Sequence, residues 1–130
     1  MEILLPPGWP RPKGFSHGIA ARGRMVFVAG QIGCDAAGKF PGDSLAAQLK
    51  QTLENTLAVM QQAGAGPQHV VRMIWYITSK QDYLKELPQI GEAYREVMGR
   101  HYPTMAVVVV AALMEDRARI EIETTAVVPE

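Results

Sequence analysis

The chain has only one cysteine and lacks a long apolar run, and each absence excludes a class of protein. Cys34 has no second cysteine to pair with, so an internal disulfide cannot form. No apolar stretch approaches the roughly 20 residues that a membrane-spanning helix needs. The first residues, Met-Glu-Ile-Leu-Leu-Pro-Pro, have no basic region and do not resemble a signal peptide. Together these features predict a cytoplasmic protein with no membrane partner.

An excess of positive charge is also lacking. Thirteen Lys and Arg residues balance thirteen Asp and Glu residues, and no basic cluster exceeds a loose set between Arg11 and Arg24. Binding to phosphate backbones depends on clustered basic side chains, so we predict no nucleic-acid partner. The three histidines do not have the spacing of metal ligands, and we expect no metal site.

The composition that remains is that of one globular domain. Hydrophobic residues make up 48% and charged residues 20% of the 130 residues, which is typical of a folded domain with an apolar core. A chain of this length can bury one core but not two. We therefore predict a single domain over residues 1–130.

Two helices are predicted from apolar spacing and capping residues. Leucines recur every four residues from Leu45 to Leu57 behind an N-cap at Asp43 or Ser44, and Gly64 is placed to end this helix. A second helix is predicted over residues 88–98, with a proline in its first turn and a helical turn before it.

Runs of β-branched and aromatic residues predict the strands. They are His17 to Ala21, Met25 to Ile32, His69 to Thr78, Met105 to Leu113 and Ala118 to Val128, with a short edge strand near Ile3 to Leu5. Gly23 predicts a hairpin between the first two, and the turn at Glu115 and Asp116 predicts that the last two pair.

The resulting order, ββαβαββ, predicts an α+β domain with two helices on one face of a mixed sheet. Val107 to Val110 are apolar at consecutive positions, which indicates a strand buried on both faces. Two helices cover only one face of such a sheet, so the other face needs apolar cover. Another copy of the chain is the simplest source, and the sequence predicts an oligomer.

Five segments carry a family resemblance in their order and spacing. They are Phe15-Ser-His-Gly18, Val26-Phe-Val-Ala-Gly-Gln-Ile32, Gln51-Thr-Leu-Glu-Asn-Thr-Leu57, Val70-Val-Arg-Met-Ile-Trp-Tyr-Ile77 and the stretch from Tyr102 to Val128. They resemble the Rid (reactive intermediate deaminase, YjgF-like) family along nearly the whole chain. The resemblance implies a chorismate-mutase-like fold and a homotrimer with a ligand-binding cleft at each subunit interface. It also implies hydrolysis of reactive enamines and imines, such as 2-aminoacrylate, without a metal or organic cofactor.

The resemblance also implies site residues. Glu121 matches the glutamate that positions or activates the attacking water. The predicted substrate-binding positions are Phe15, Ala29, Gly30, Gln31, Met105 and Val107. Among these, Gly30, Gln31 and Val107 are expected to act through their backbone groups. Without the resemblance, the alternation of Glu121 and Glu123 with isoleucines favours a solvated or salt-bridged face, and Glu123 is expected to be structural.

Three positions depart from the family pattern. Met105 replaces the arginine that grips the substrate carboxylate, Phe15 replaces a tyrosine, and Ala29 replaces a serine. Loss of a charge-assisted contact costs on the order of 1.5–3 kcal/mol per hydrogen bond, so hydrolysis of ordinary 2-iminoacids should be weak or absent.

Two functions therefore remain open at this point. The first is a hydrolase of an enamine or imine other than the standard 2-iminoacids, with Arg24, Arg72 or Arg119 as candidates for a replacement cation. The second is a non-catalytic trimer that binds a small metabolite in the same interface cleft.

Overall fold

Four strands form a mixed sheet, and the helices cover one of its faces. The computed structural model describes all residues, 1–130. Its elements are β1 (Glu2–Leu4), β2 (Gly18–Ala20), β3 (Arg24–Ile32), α1 (Leu45–Gln61), β4 (Val70–Ile77), α2 (Lys80–Lys85), α3 (Leu87–Met98), β5 (Thr104–Val109) and β6 (Ile120–Val128). None of the helices is long and apolar enough to cross a bilayer.

Helix α1 begins where the sequence predicts it. The Ser44 side chain accepts a hydrogen bond from the Ala47 amide at 3.2 Å, which satisfies one of the free N–H groups at the helix N-terminus. Glu86 adds a second cap from outside the helix, because its carboxylate accepts from the amides of Leu45 and Ala46. The helix ends at Gln61, and Gly64 adopts a positive φ of 70° in the turn that follows.

The core lies between α1, α3 and the helix-facing side of the sheet. From α1, Leu45, Leu49, Leu53 and Met60 are at most 2% exposed. They pack on the inward side chains of the central strands, which are Met73, Trp75 and Ile77 of β4 and Ile120 and Ile122 of β6. Removing this apolar surface from water is the main driving force for closing the helices onto the sheet.

Two predicted hairpins are wrong. The sheet order is β3-β6-β4-β5, with β5 parallel to β4 and the other neighbours antiparallel, so β5 and β6 do not pair. Strand β6 carries two isoleucines that are at most 1% exposed, and it takes a central position between β3 and β4. The α2–α3 crossover then brings β5 to the free edge of β4, as a parallel pair requires.

The second wrong hairpin lies at Gly23. Strand β2 pairs with β1 rather than with β3. Gly23 has a φ of 150°, and a Cβ there would lie 2.2 Å from the Val128 carbonyl oxygen. The glycine therefore lets the chain pass close over the end of β6 instead of forming a turn between paired strands.

The sheet face opposite the helices is open in the single chain, and so is the β5 edge. Phe27 of β3 is 70% exposed, and Val108 and Val109 of β5 are 41% and 52% exposed. The sequence predicted that the valine run of β5 is buried on both faces, and one chain alone does not bury it in this way. The oligomer that would provide it stays a prediction.

Candidate functional site

The predicted site residues lie on opposite sides of the sheet. Glu121 alternates with buried Ile120 and Ile122 on β6 and lies on the open face beside Gly30. Met105 and Val107 are the register partners of Met73 and Trp75, which face the helices. One chain therefore does not bring these two sets of predicted residues together.

On the open face, Glu121 lies directly over the backbone of Gly30. A Cβ at Gly30 would fall 2.1 Å from the Glu121 Oε2 atom and 2.8 Å from Cδ. Only glycine fits beneath the carboxylate in this conformation. No basic side chain lies within ion-pair distance of Glu121, so its carboxylate is free to act on another molecule.

A β-bulge shapes the strand under this carboxylate. Val28 is opposite Thr124 and Gln31 is opposite Ile122, so the pair between them, Ala29 and Gly30, faces a single residue of β6. The Gln31 side-chain amide donates to the Ala29 carbonyl at 3.2 Å. Bulges of this kind bend a strand and re-aim its groups, and they are frequent beside active sites.

Glu123 has a different environment from Glu121. The Tyr76 hydroxyl donates a hydrogen bond to Glu123 Oε1, and this bond raises the pKa of Tyr76. The two carboxylates and Tyr76 line a hollow of about 320 Å³, whose other walls are Gly30, Val110, Ala112, Leu113 and Met114. Glu123 is thus held by a neighbouring side chain while Glu121 is not.

On the helix side, a groove of about 510 Å³ lies between α3 and β5. Phe15, Met105 and Val107 line it, together with Lys13, Gly14, Trp75, Tyr83, Leu87, Ile90, Gly91, Tyr94, Arg95 and Tyr102. Phe15 also stands edge-on to His17, with ring centroids 5.2 Å apart. A largely apolar concavity with a few polar groups is the usual character of a small-molecule site.

Aromatic contacts fix the floor of this groove. The Tyr94 and Tyr102 rings stack with centroids 5.5 Å apart, and Tyr94 lies 6.1 Å from Trp75. The Tyr94 hydroxyl donates to the His101 carbonyl at 2.5 Å, and burial, with a smaller effect of Tyr102, raises the pKa of Tyr94. The Trp75 Nε1 atom is buried and has no hydrogen-bond partner.

The three arginines considered as replacement cations lie in different environments. Arg119 forms an ion pair with Asp82, and the Arg24 guanidinium donates to the Ala63 carbonyl at 2.6 Å. Arg72 lies on the open face in a small hollow with Glu123. None of these three candidates lines the groove that holds Met105.

Arg95 of α3 lines that groove and was not anticipated from the sequence. The signal that could have found it is its position four residues after Gly91, a glycine inside a predicted helix. That spacing places both residues on one helix face. No three His, Cys, Asp or Glu side chains come together as a metal-binding group.

Comparisons with known proteins agree with this architecture. The family model described as endoribonuclease L-PSP matches residues 10–128. A RutC family protein of Pyrococcus abyssi is 32% identical over 127 residues, which cover 96% of this chain and 95% of that one. TdcF of Escherichia coli K12, whose name assigns it provisionally as a reactive intermediate deaminase, is 36% identical over 109 residues, or 81% and 80% of the two chains.

Solved structures match over almost the full length. YyfB of Yersinia pestis, a protein of the conserved Rid family, superposes with a TM-score of 0.80 at 33% identity and covers 98% of both chains. Escherichia coli TdcF with bound serine superposes with a TM-score of 0.69 at 32% identity, covering 98% of this chain and 99% of that one.

The helix-backed mixed sheet therefore defines a small α+β protein of the chorismate-mutase-like class, as predicted. Within that class, the chain belongs to the YjgF-like Rid family.

Proposed function

We propose that this protein is a homotrimeric hydrolase of a reactive enamine or imine other than the standard 2-iminoacids. The observation that carries the proposal is the free Glu121 carboxylate, which lies over Gly30 on a face that one chain leaves open. The deaminase name of the TdcF relative supports the reaction class.

The separation of the predicted site residues supports an assembly of more than one chain. Side chains that point to opposite faces of one sheet cannot contact the same small ligand within one subunit. They can do so if the β5 edge of one copy meets the open face of the next. Exposed Val108 and Val109 on that edge and exposed Phe27 on that face supply the apolar surface for such an interface.

In the proposed reaction, Glu121 accepts a proton from water as the water oxygen forms a bond to the C=N carbon, and the nitrogen takes up a proton. The resulting carbinolamine then breaks its C–N bond as Glu121 returns its proton to the nitrogen and the hydroxyl loses its proton to solvent, which releases ammonia or an amine and leaves a carbonyl product. An enamine first takes a proton on carbon to become the imine. No electrons are exchanged with another reactant, so the chain's own groups and water complete the balance.

The proposed exclusion of ordinary 2-iminoacids depends on Met105. A thioether cannot form the paired charge-assisted hydrogen bonds by which a guanidinium holds a carboxylate. The apolar side chains at Phe15 and Ala29 favour a substrate with less polar surface at those positions. Serine is bound in the solved structure of the TdcF relative, which supports a small nitrogen-bearing metabolite as the general class of ligand.

The first experiment tests Glu121 against its neighbour on the same face. The substrates are imines generated in situ by an amine oxidase and 2-aminoacrylate generated by a dehydratase. The assay compares the rate at which each is lost with the protein present to the rate of its spontaneous hydrolysis. We expect Glu121→Gln to abolish the acceleration that the wild type gives and Glu123→Gln to keep most of it. Equal activity in Glu121→Gln and the wild type would contradict the role of this carboxylate.

The second experiment tests the substituted anion site. We expect weak 2-aminoacrylate hydrolysis by the wild type and an increase of about tenfold or more in Met105→Arg, from at least one restored charge-assisted bond. Met105→Lys is the control for positive charge alone, because lysine lacks the planar guanidinium that forms two parallel hydrogen bonds to a carboxylate. A wild-type rate that Met105→Arg leaves unchanged would show that position 105 does not control this substrate.

The alternative function is a trimer that binds a small metabolite in the same cleft without turnover. It is favoured by the apolar side chains at Phe15, Ala29 and Met105. Saturable binding of a metabolite with no product from any imine would support it, and product formation would exclude it. In either function we expect no RNA binding, because the formal net charge is zero and no basic cluster is present.

A further inference from the structure

We propose that the groove between α3 and β5 binds an aromatic or similarly flat apolar group that carries an anionic substituent, and that Arg95 holds the anion. This inference rests on the proposed function, because it names the substrate class of the same site. It assigns to a helix residue the anion-binding role that the substitution at position 105 removed.

The groove has the size and walls for such a group. Its volume of about 510 Å³ suits a molecule of one or two rings. Trp75, Tyr94 and Tyr102 provide aromatic surface, while Met105 and Val107 provide aliphatic surface on the strand side. Ring faces and edges pack well against such walls, and the thioether of a methionine adapts to aromatic partners.

Arg95 is placed over this groove without an internal partner. A Cβ at Gly91 would lie 3.2 Å from Arg95 Nη1, so the guanidinium folds back one helical turn toward the groove lining. Neither ion pair in the chain includes Arg95, and the adjacent Glu96 pairs with Lys50 at 3.0 Å. The guanidinium thus remains available for a carboxylate, which it can bind with two parallel hydrogen bonds.

Gly91 opens the wall on which the guanidinium rests. A glycine inside a helix is less favourable than alanine, because it loses more backbone freedom on folding. Gly91 lies in the middle of α3 and lines the groove, so a larger side chain there would occupy the space beside Arg95. The glycine therefore provides room for the Arg95 guanidinium beside the groove, at the cost of helix propensity.

Trp75 supplies a second, independent sign of a polar ligand atom. The residue is 3% exposed and lines the groove, yet its Nε1 donor has no partner in the chain. Buried donors are nearly always satisfied, so this indole N–H is left for an acceptor that the chain itself does not supply, which a molecule bound in the groove would provide.

These groups together specify the substrate. Its C=N carbon lies toward the proposed interface and Glu121, its apolar body fills the groove, and its anion reaches Arg95 on α3. The anion is therefore separated from the reacting carbon by the apolar body. The imine formed from 4-(aminomethyl)benzoate has this arrangement, whereas the imine formed from benzylamine lacks the anion.

Calorimetric titration of the full-length protein tests the binding step without turnover. The probes are 3-phenylpropionate, its neutral amide and propionate, which separate the contributions of the ring and the charge. We expect the wild type to bind 3-phenylpropionate about tenfold or more tightly than the amide or propionate. Arg95→Gln should remove most of the preference for the acid over the amide, the remainder being due to Lys13, the other basic residue of the lining, and Arg95→Lys should keep more of it.

Matched variants isolate the groove from general effects of charge. Arg22→Gln removes the same charge from a residue that does not line the groove and should leave all affinities unchanged. Gly91→Leu fills the groove and should weaken both aromatic probes. No binding of 3-phenylpropionate to the wild type, or an acid-to-amide ratio that Arg95→Gln leaves unchanged, would overturn the inference.

A comparison of two imines separates this inference from the proposed function. If Glu121→Gln loses turnover but Arg95→Gln does not change the preference for the 4-(aminomethyl)benzoate imine over the benzylamine imine, the hydrolase stands and the role of Arg95 is wrong. If neither imine is hydrolysed but 3-phenylpropionate binding depends on Arg95, the groove assignment stands and the hydrolase is wrong.

Discussion

Substitution of Gly30 by alanine is the sharpest test of how the candidate carboxylate is positioned. A Cβ at this position would lie 2.1 Å from Glu121 Oε2, whereas ordinary contacts begin at 3.4 Å, so the oxygen must move by about 1.3 Å. The φ of Gly30 is not positive, so alanine fits the backbone. The perturbation therefore acts mainly on the Glu121 side chain.

The displacement predicts a large effect on turnover and a small one on stability. A misplacement of about 1 Å at a reacting group can reduce a rate by about 10²-fold. Gly30 is exposed, and surface substitutions usually change the free energy of unfolding by no more than about 0.5 kcal/mol. We expect kcat for a responsive imine to fall by about 10²-fold in Gly30→Ala.

Gly66→Ala is a matched control for this variant. Its Cβ would meet another flexible side chain, Gln68 Oε1, at 2.6 Å, and its φ of −123° accepts alanine. The assay measures imine hydrolysis at saturating substrate, with thermal unfolding of each variant in parallel. Full activity in Gly30→Ala would refute the proposed position of Glu121, and an equal loss in Gly66→Ala would attribute the effect to general disturbance.

Three further predictions concern assembly, stability and its dependence on pH. Val109→Lys on the β5 edge should reduce the proposed trimer to smaller species in sedimentation equilibrium, while Val59→Lys on α1 should not. The two valines are 52% and 43% exposed, and an unchanged mass for Val109→Lys would exclude that edge from the interface. Tyr94→Phe should lower the free energy of unfolding in urea by about 1 kcal/mol, because the His101 carbonyl loses its donor; no loss would contradict this role of the hydroxyl. Burial raises the pKa of Tyr94 above its ordinary 10.0, so the folded chain holds that proton more tightly and stability should fall as pH rises above this value. The alkaline loss should be shallower in Tyr94→Phe but not absent, since burial also raises the pKa of Tyr83.

The sequence predicts individual elements of this fold better than their partners. Helical spacing and a side-chain cap locate α1, and β-branched runs locate β3, β4 and β6 to within two residues. These signals are local, since each depends on neighbours along the chain. Strand order depends on which strand buries the most surface at the centre of the sheet, and alternation within one strand does not encode that choice.

The same limit applies to the candidate site. The resemblance identifies Glu121 and Gly30 separately, but their contact depends on the bulge in β3 and on the register with β6. Arg95 carries no motif, and its relevance appears only when α3 packs beside β5 and the guanidinium folds over Gly91. None of the three arginines considered from the sequence lines the groove: Arg24 and Arg119 are held by other contacts, and Arg72 lies on the open face of the sheet.

In the proposed site, an anion held on the helix rather than on the strand changes which substrates fit, beyond the loss of one charge. In 2-aminoacrylate the carboxylate is bonded directly to the carbon that carries nitrogen, so the anion and the reacting carbon must be held side by side. By the family resemblance, an arginine at position 105 on β5 would meet that requirement, whereas the proposed anion-binding residue, Arg95, lies on the α3 wall of the groove. A substrate must then span the space between the two walls, and the apolar body that spans it gains the burial energy of the aromatic lining. Short 2-iminoacids are then disfavoured because they cannot span the distance between the two walls, as well as because the strand lacks a charge. The position of the cation therefore sets the proposed specificity more than its presence does.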